Sequence, residues 1–253
     1  MKVRAAAIGV IPARYQSSRL PGKPLALIGG KPLIQHVYER ASLARSFDDL
    51  IVATDDVRIE KAVQAFGGQA MMTDRSHQTG SDRVAEVAEN YDAEIIVNVQ
   101  GDEPFISPTA IDLAVEKLRE TPDAVVGTLV TPCRDEDELI SENTAKVVQD
   151  ATGSALYFSR SPIPFIRDAK DLTALLARST FYLHIGIYVF RRDFLFQFIQ
   201  LPQGALEQFE KLEQLRILEN GHKIICAQTD YQAFSVDTQQ DLEIANAKFK
   251  SGE

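Results

Sequence analysis

The sequence predicts an α/β fold with a mostly parallel, doubly wound sheet, and two observations carry that prediction. Short apolar runs rich in Val and Ile, the pattern of buried strands, alternate with longer stretches of helical periodicity through the first half of the chain. Strand, helix, strand, helix in series implies parallel strands joined by right-handed crossovers.

The strands are expected at Ala5–Ile11, Leu50–Ala53, Glu94–Val99 and Ala124–Val130. Between the first two, "KPLIQHVYERASLAR" places Leu33, Ile34, Val37, Tyr38, Ala41 and Ala44 on one helical face. "VRIEKAVQAFGG" forms a second helix stopped by Gly67-Gly68, and "SDRVAEVAENY" a third with Ser81 as its N-cap. From about residue 145 the rhythm changes. "AKVVQD", "ALYFSR" and "HIGIYVF" read as strands without full helices between them, and "SPIPFIRDAKDLTALLARST" as a loop-rich insertion. Helices return near Arg192–Gln200 and Leu206–Asn220, then a strand at Lys223–Ala227 and a last helix from about Thr238. The organisation expected is one domain over 1–253, interrupted by an excursion at about 150–195.

Composition bounds the function. The chain has 253 residues and a formal charge of −9, which argues against a general nucleic-acid binder but not against a small anion in a local cationic pocket. Cys133 and Cys226 are far apart and form no CxxC pair, so two buried thiols in a reducing compartment are expected. No stretch approaches the roughly 20 apolar residues that span a bilayer, and the apolar run near the start is too short for a signal peptide, so a cytoplasmic protein without membrane attachment is expected.

Positive charge is concentrated where ligands bind in such folds. "IPARYQSSRLPGKPL" follows the first strand directly and crowds Arg14, Arg19 and Lys23 beside the turn residue Gly22. At the carboxyl end of a parallel strand these groups suit phosphate oxygens; the alternative is a solvated basic loop. The spacing is neither GxxxxGK[ST] nor GxGxxG. "NVQGDEP" sets Asp102, with Glu103 second, at the end of an apolar strand, where a carboxylate can hold Mg²⁺. "SVDT" offers Asp237 before the last helix, either as a partner for Asp102 or, with Thr238, as a helix cap.

Taken in order, "IPARYQSSRLPGKPL", "IVATDD", "TGSDRVAE", "NVQGDEP", "ALYFSRSPIPF", "HIGIYVF", "LEQLR" and "VDT" resemble the 3-deoxy-manno-octulosonate (Kdo) cytidylyltransferases, from about Ile8 to Ile244. The first segment alone is shared in weaker form by CMP-sialic acid synthetases. The resemblance implies a nucleotide-diphospho-sugar transferase-like fold and transfer of CMP from CTP to the anomeric hydroxyl of Kdo, an activation step for lipopolysaccharide biosynthesis. It also implies Mg²⁺ and a homodimer built on a β-rich arm at about 150–195. The related alternatives are a cytidylyltransferase for sialic acid or 8-amino-Kdo, and a non-catalytic CTP sensor.

Carried over by position, the resemblance assigns Arg14, Ser17, Arg19 and Lys23 to the CTP phosphates. Gln78, Gly80, Ser81 and Arg83 fall around the cytidine. Asp102 and Asp237 become the Mg²⁺ carboxylates, and Gln100, Arg160, His184, Tyr188, Glu213 and Gln214 the sugar-acid pocket. Lys23, Asp102, Asp237 and Arg14 are then the catalytic set. The sequence departs from the family at Asp74-Arg75, where some members have arginine directly after the threonine, and at Leu183, where many have a basic residue. Beside the resemblance, a helical wheel places Glu213 between Leu206 and Phe209 and close to Ile217, a carboxylate needing a partner. The competing reading is a local Glu213–Arg216 pair.

Overall fold

The computed structural model describes residues 2–17, 19–168, 171–178 and 181–251. The chain forms two compact units: Met1–Asp112, Val189–Ile199 and Ala233–Glu253 make the first, Leu113–Tyr188 and Gln200–Gln232 the second.

A parallel sheet organises the first unit. In its central strand, Ala7–Ala13, the residues Ala7, Ile8, Val10 and Ile11 are wholly buried, as a strand covered on both faces must be. Asp49–Thr54 pairs on one side (Val10↔Ile51) and Ile95–Asn98 on the other (Ile8↔Ile96). Gln69–Met72 extends the sheet beyond Asp49–Thr54. Helices Leu33–Ala41, Val57–Ala65 and Gly80–Ala88 make the crossovers. The chain winds outward through three strands, then returns to the far side of the first with Ile95–Asn98. In an open α/β sheet that reversal leaves a crevice between the carboxyl ends of the two strands that flank it.

Two residues shape this crevice. The central strand runs through Pro12 and Ala13, beyond the expected end at Ile11. The last residue pair with Ile95–Asn98 is Val10↔Asn98, so Pro12, without an N–H, leaves no ladder bond unfilled on that side. At Gly101 a Cβ would lie 2.6 Å from the Pro12 carbonyl oxygen, so glycine alone permits the approach of the two segments.

The helical faces follow the periodicity: Leu33, Ile34, Val37 and Ala41 are buried, while Ala44 is buried from the turn beyond the helix. One helix start differs. Thr79, not Ser81, caps Gly80–Ala88, because Thr79 Oγ1 accepts from the Asp82 N–H while the Asp82 carboxylate accepts from the Thr79 N–H. Ser81 therefore sits in the first turn, buried.

In the second unit Val126–Pro132 runs parallel to Ile224–Gln228 (Thr128↔Cys226). Lys146–Gln149 is antiparallel both to Ala155–Ser159 and to the start of Tyr182–Arg191 (Lys146↔Leu183), and Leu183 is buried there. Both cysteines are free thiols; Cys226 is buried, but Cys133 is partly exposed, unlike the expectation. Of the aromatic residues in the 150–195 segment, Phe158 is wholly buried, whereas Phe165 is 90% exposed. The inserted segment also holds a short helix, Leu172–Arg178; its residues 169, 170, 179 and 180 lie outside the described residues.

The expected helix Leu206–Asn220 is two helices, Ala205–Glu210 and Leu215–Glu219, broken at Lys211 with φ 54°. The cause is tertiary. The Arg160 guanidinium donates to the carbonyl oxygens of Glu210 (2.7 Å), Lys211 (3.4 Å) and Glu142 (2.6 Å), drawing off groups at the helix end. The Glu210 carboxylate in turn accepts from Ser159 Oγ and from the Arg160 backbone N–H. A single wheel for Glu213 therefore does not exist, and Phe209, assigned to its buried side, is 81% exposed. The local Glu213–Arg216 pair is present as a long contact of 3.9 Å, and Arg216 also makes a bidentate pair with Glu207 (2.6 and 2.7 Å), both residues buried.

Removing one partner of a buried ion pair leaves the other desolvated and poorly compensated. Glu207→Ala should lower stability by about 3 kcal/mol, the lower end for such pairs, because Glu213 stays near Arg216. An unchanged urea midpoint for the variant would show that the pair adds nothing to the second unit.

Candidate active site

In the first unit the crevice is a cavity of about 400 Å³. Its wall takes Pro12, Ala13 and Arg14 from the exit of the central strand, then Ser17, Arg19 and Lys23 from the loop that follows. Gln100, Gly101 and Asp102 come from the exit of Ile95–Asn98, and Gln78, Thr79, Gly80 and Arg83 from the start of helix Gly80–Ala88. Pro24, His77 and Asp237 complete it. The cations of the loop therefore line the crevice, with Arg14 and Arg19 exposed at its rim.

Local bonds give the loop its path. Gly22, at φ 68°, donates its N–H to the Tyr15 carbonyl (3.0 Å), and the Tyr15 ring lies 3.3 Å beneath the Arg58 guanidinium. The turn begins the short 3₁₀ helix Lys23–Leu25. From it Lys23 Nζ reaches Asp102 Oδ2 at 2.7 Å and Asp237 Oδ1 at 3.0 Å, and Arg19 adds a contact to Asp237 at 3.1 Å. Burial works against the ammonium, but attraction and hydrogen bonds from Asp102 and Asp237 outweigh it, so the pKa of Lys23 is raised and its charge persists.

Asp237 is available for this contact because it does not cap the last helix. Thr238 does: its Oγ1 accepts from the Asp241 N–H, and the Asp241 carboxylate accepts from the N–H groups of Asp237 and Thr238. Of the two readings of "SVDT", the shared-carboxylate one fits Asp237 and the capping one fits Thr238.

The residues expected around the cytidine divide. Gln78, Gly80 and Arg83 line the cavity; Ser81, 1% exposed, does not. Arg83 is positioned by Asp55 (3.0 Å) and by Thr73 Oγ1. Gln100, expected at the sugar, lines this same cavity, while Glu103 is buried away from its wall. Asp74 accepts from the Ser76 N–H and Arg75 donates to the Asp55 carbonyl, so neither lines the cavity. Sequence reasoning missed His77 and Thr79. They flank Gln78, and the Thr-x-x-Asp spacing was the signal for Thr79.

The wall sets Arg14, Arg19, Lys23 and Arg83 against Asp102 and Asp237, an excess of positive charge that suits a polyanion. The start of a helix at Gly80 adds partial positive charge from its backbone.

In the second unit, His184, Tyr188 and Gln214 are in contact. His184 Nε2 lies 2.8 Å from Thr128 Oγ1 and its Nδ1 3.5 Å from Gln214 Nε2, and the Tyr188 hydroxyl donates to Gln214 Oε1 at 2.9 Å. Phe158 meets the His184 ring edge-on at 5.0 Å. Burial lowers the His184 pKa to about 3, and burial with the nearby Glu213 charge raises that of Tyr188. Arg160, expected in the same pocket, has its guanidinium on the three backbone carbonyls described above. Thr128 was not anticipated.

Comparison with known proteins agrees with the charge and topology of the first unit. The cytidylyltransferase family model matches residues 8–224. The 3-deoxy-manno-octulosonate cytidylyltransferase of Geobacter sulfurreducens is 53% identical over 95% of this chain and 98% of its own. That of Geotalea uraniireducens is 53% identical over 96% and 97%. A solved CMP:2-keto-3-deoxy-manno-octonic acid synthetase complexed with CTP superimposes with a TM-score of 0.91 at 44% identity, over 98% of this chain and 99% of that one. Among the described residues no helix is long and apolar enough to cross a membrane. With a matching family model across most of its length and relatives at this identity, the chain belongs to the cytidylyltransferase family, among its 3-deoxy-manno-octulosonate cytidylyltransferases.

Proposed function

We propose that this chain transfers CMP from CTP to the anomeric hydroxyl of Kdo, releasing pyrophosphate, with the cavity of the first unit as its nucleotide site. The observation that carries the reading is the convergence of Lys23, Asp102 and Asp237 at the end of a cationic crevice. The hydroxyl oxygen forms a bond to the α-phosphorus, the bond from that phosphorus to pyrophosphate breaks, and the hydroxyl proton is released. Such catalysis is mainly positioning and charge stabilisation. Arg14, Arg19 and Lys23 would bind the phosphate tail and hold the negative charge that grows on the departing pyrophosphate. Ser17, Gln78, Gly80 and Arg83 would orient the nucleotide. In the second unit His184, Tyr188, Gln214 and the adjacent Glu213 would bind the sugar acid; Arg160 would support that site by fixing the 210–211 turn.

Asp102 and Asp237 fit a divalent cation. Both already place an oxygen on one ammonium, which stands in for a cation, and oxygen donors suit Mg²⁺. Bound there, Mg²⁺ would supply charge neutralisation to the phosphates. The reaction belongs in the cytoplasm, where CTP is made, and supplies activated Kdo for lipopolysaccharide biosynthesis. Assembly as a homodimer through the 150–195 arm is supported by Leu156 and Phe165, 61% and 90% exposed.

Three measurements test this reading. Pyrophosphate release, with each nucleoside triphosphate crossed against Kdo and sialic acid, should require CTP and Kdo, and Asp102→Asn or Asp237→Asn should cut it by about a hundredfold or more. Release with sialic acid at the same rate, or near wild-type turnover of either variant, would contradict the assignment. Lys23→Ala should weaken CTP binding far more than CMP binding; equal weakening by calorimetry would move the ammonium away from the outer phosphates. Sedimentation at micromolar concentration should give a dimer, and an active monomer would remove the arm from any interface.

A further inference from the structure

The hydrogen bonds of the second unit have a fixed direction, and one buried threonine sets it. Thr128, wholly buried on Val126–Pro132, places Oγ1 2.7 Å from the Ile187 carbonyl oxygen and 3.2 Å from that of Ile185. A carbonyl has no hydrogen to give, so these contacts use the single proton of the Thr128 hydroxyl. Toward His184 Nε2, at 2.8 Å, the hydroxyl can then only accept, and Nε2 must carry the imidazole proton. The Nδ1 atom is left as a lone pair facing the Gln214 amide at 3.5 Å. A lone pair calls for the NH₂ end of that amide, which turns the carbonyl end to Tyr188, whose hydroxyl donates to it at 2.9 Å. The reverse arrangement, with Thr128 donating to the ring, would set its oxygen lone pairs against two carbonyl oxygens.

We propose that Thr128 is a positioning residue for sugar-acid recognition, which acts through His184 and Gln214 to commit the Tyr188 proton inward, so that Tyr188 meets the sugar as a hydrogen-bond acceptor. An acceptor selects a hydroxyl of the substrate and disfavours its carboxylate, so the direction of the network would set which side of the sugar acid faces Tyr188. The low pKa of His184 supports this, because a ring that stays neutral near pH 7 keeps the order from reversing. The proposal rests on the reading of this cluster as the sugar site.

The first test needs no variant and no sugar. The ¹⁵N spectrum of His184 in the full-length wild-type protein at pH 7 should show a protonated Nε2 and a bare Nδ1. A protonated Nδ1, or an imidazolium, overturns the proposal. The second test is kinetic. Thr128→Val, nearly isosteric, should raise the KM for Kdo about tenfold, the effect of one misdirected hydrogen bond, with kcat and the KM for CTP within about twofold. Thr128→Ser, which keeps the hydroxyl, should restore the wild-type value. If Gln214→Ala raises the KM for Kdo and Thr128→Val does not, the positioning role is wrong while the sugar site stands. If neither Gln214→Ala nor Tyr188→Phe alters Kdo kinetics, the sugar-site reading itself has failed and the proposal with it. Should Thr128→Val not fold, the serine variant and the wild-type spectrum decide.

Discussion

The ammonium of Lys23, held between Asp102 and Asp237, joins three parts of the chain separated by 79 and 214 residues. It fixes the exit loop of the central strand against the exit turn of its neighbour and against the segment that leads into the last helix. It also sets two cations of that loop against fixed carboxylates of the same unit. One ammonium between two carboxylates carries a net negative charge, and the Arg19 contact to Asp237 offsets it. The cluster is then locally neutral.

The backbone places these charges as firmly as the charges bind each other. Ladder pairing between the central strand and Ile95–Asn98 ends at Val10↔Asn98, and the strands part there. A proline without a donor and a glycine without a side chain occupy the point of divergence. A larger residue at 101 would meet the Pro12 carbonyl and push Asp102 away from Lys23. The crevice predicted by topology thus becomes a cavity of defined shape, and Asp102 is the first charged group past the divergence.

Much of the first unit was legible because its signals are local. Unbroken Val/Ile runs can only be strands buried on both faces, and a basic segment directly after the first such run had to stand at the ligand-binding end of the sheet. The misreadings fall where two residues compete for one role or where a distant residue intervenes. Ser81 and Thr79 can both cap a helix; the Asp82 carboxylate decided for Thr79. Asp237 and Thr238 can both cap as well, and Asp241 decided for Thr238, freeing Asp237. Nothing near Leu206–Asn220 announces a break, since the chain is turned at Lys211 by a guanidinium 51 residues away in sequence. The Glu213–Arg216 pair read from the spacing is present at 3.9 Å, but the closer, bidentate partner of Arg216 is Glu207, which the spacing did not announce. His184 was singled out by the family resemblance alone, and its partner Thr128 lies 56 residues earlier on another strand, with no spacing to connect them.

On the proposed assignment, the two ligand classes call for two kinds of chemistry, one from each unit. Triphosphate is a concentrated charge with little shape to read, so movable cations and carboxylates suffice for it and remain partly exposed. A sugar acid offers hydroxyls of nearly equal polarity that differ only in position, so reading it needs donors and acceptors whose roles cannot interchange. The chain from Thr128 through His184 and Gln214 to Tyr188 has its imidazole held far from protonation by burial, with the charge of Glu213 beside it, and its order is imposed by carbonyl groups that have no alternative state. Rigidity of this kind comes from the backbone of a β-strand. That is why a threonine pressed against two carbonyls of a neighbouring strand, rather than a more polar residue, is suited to govern it.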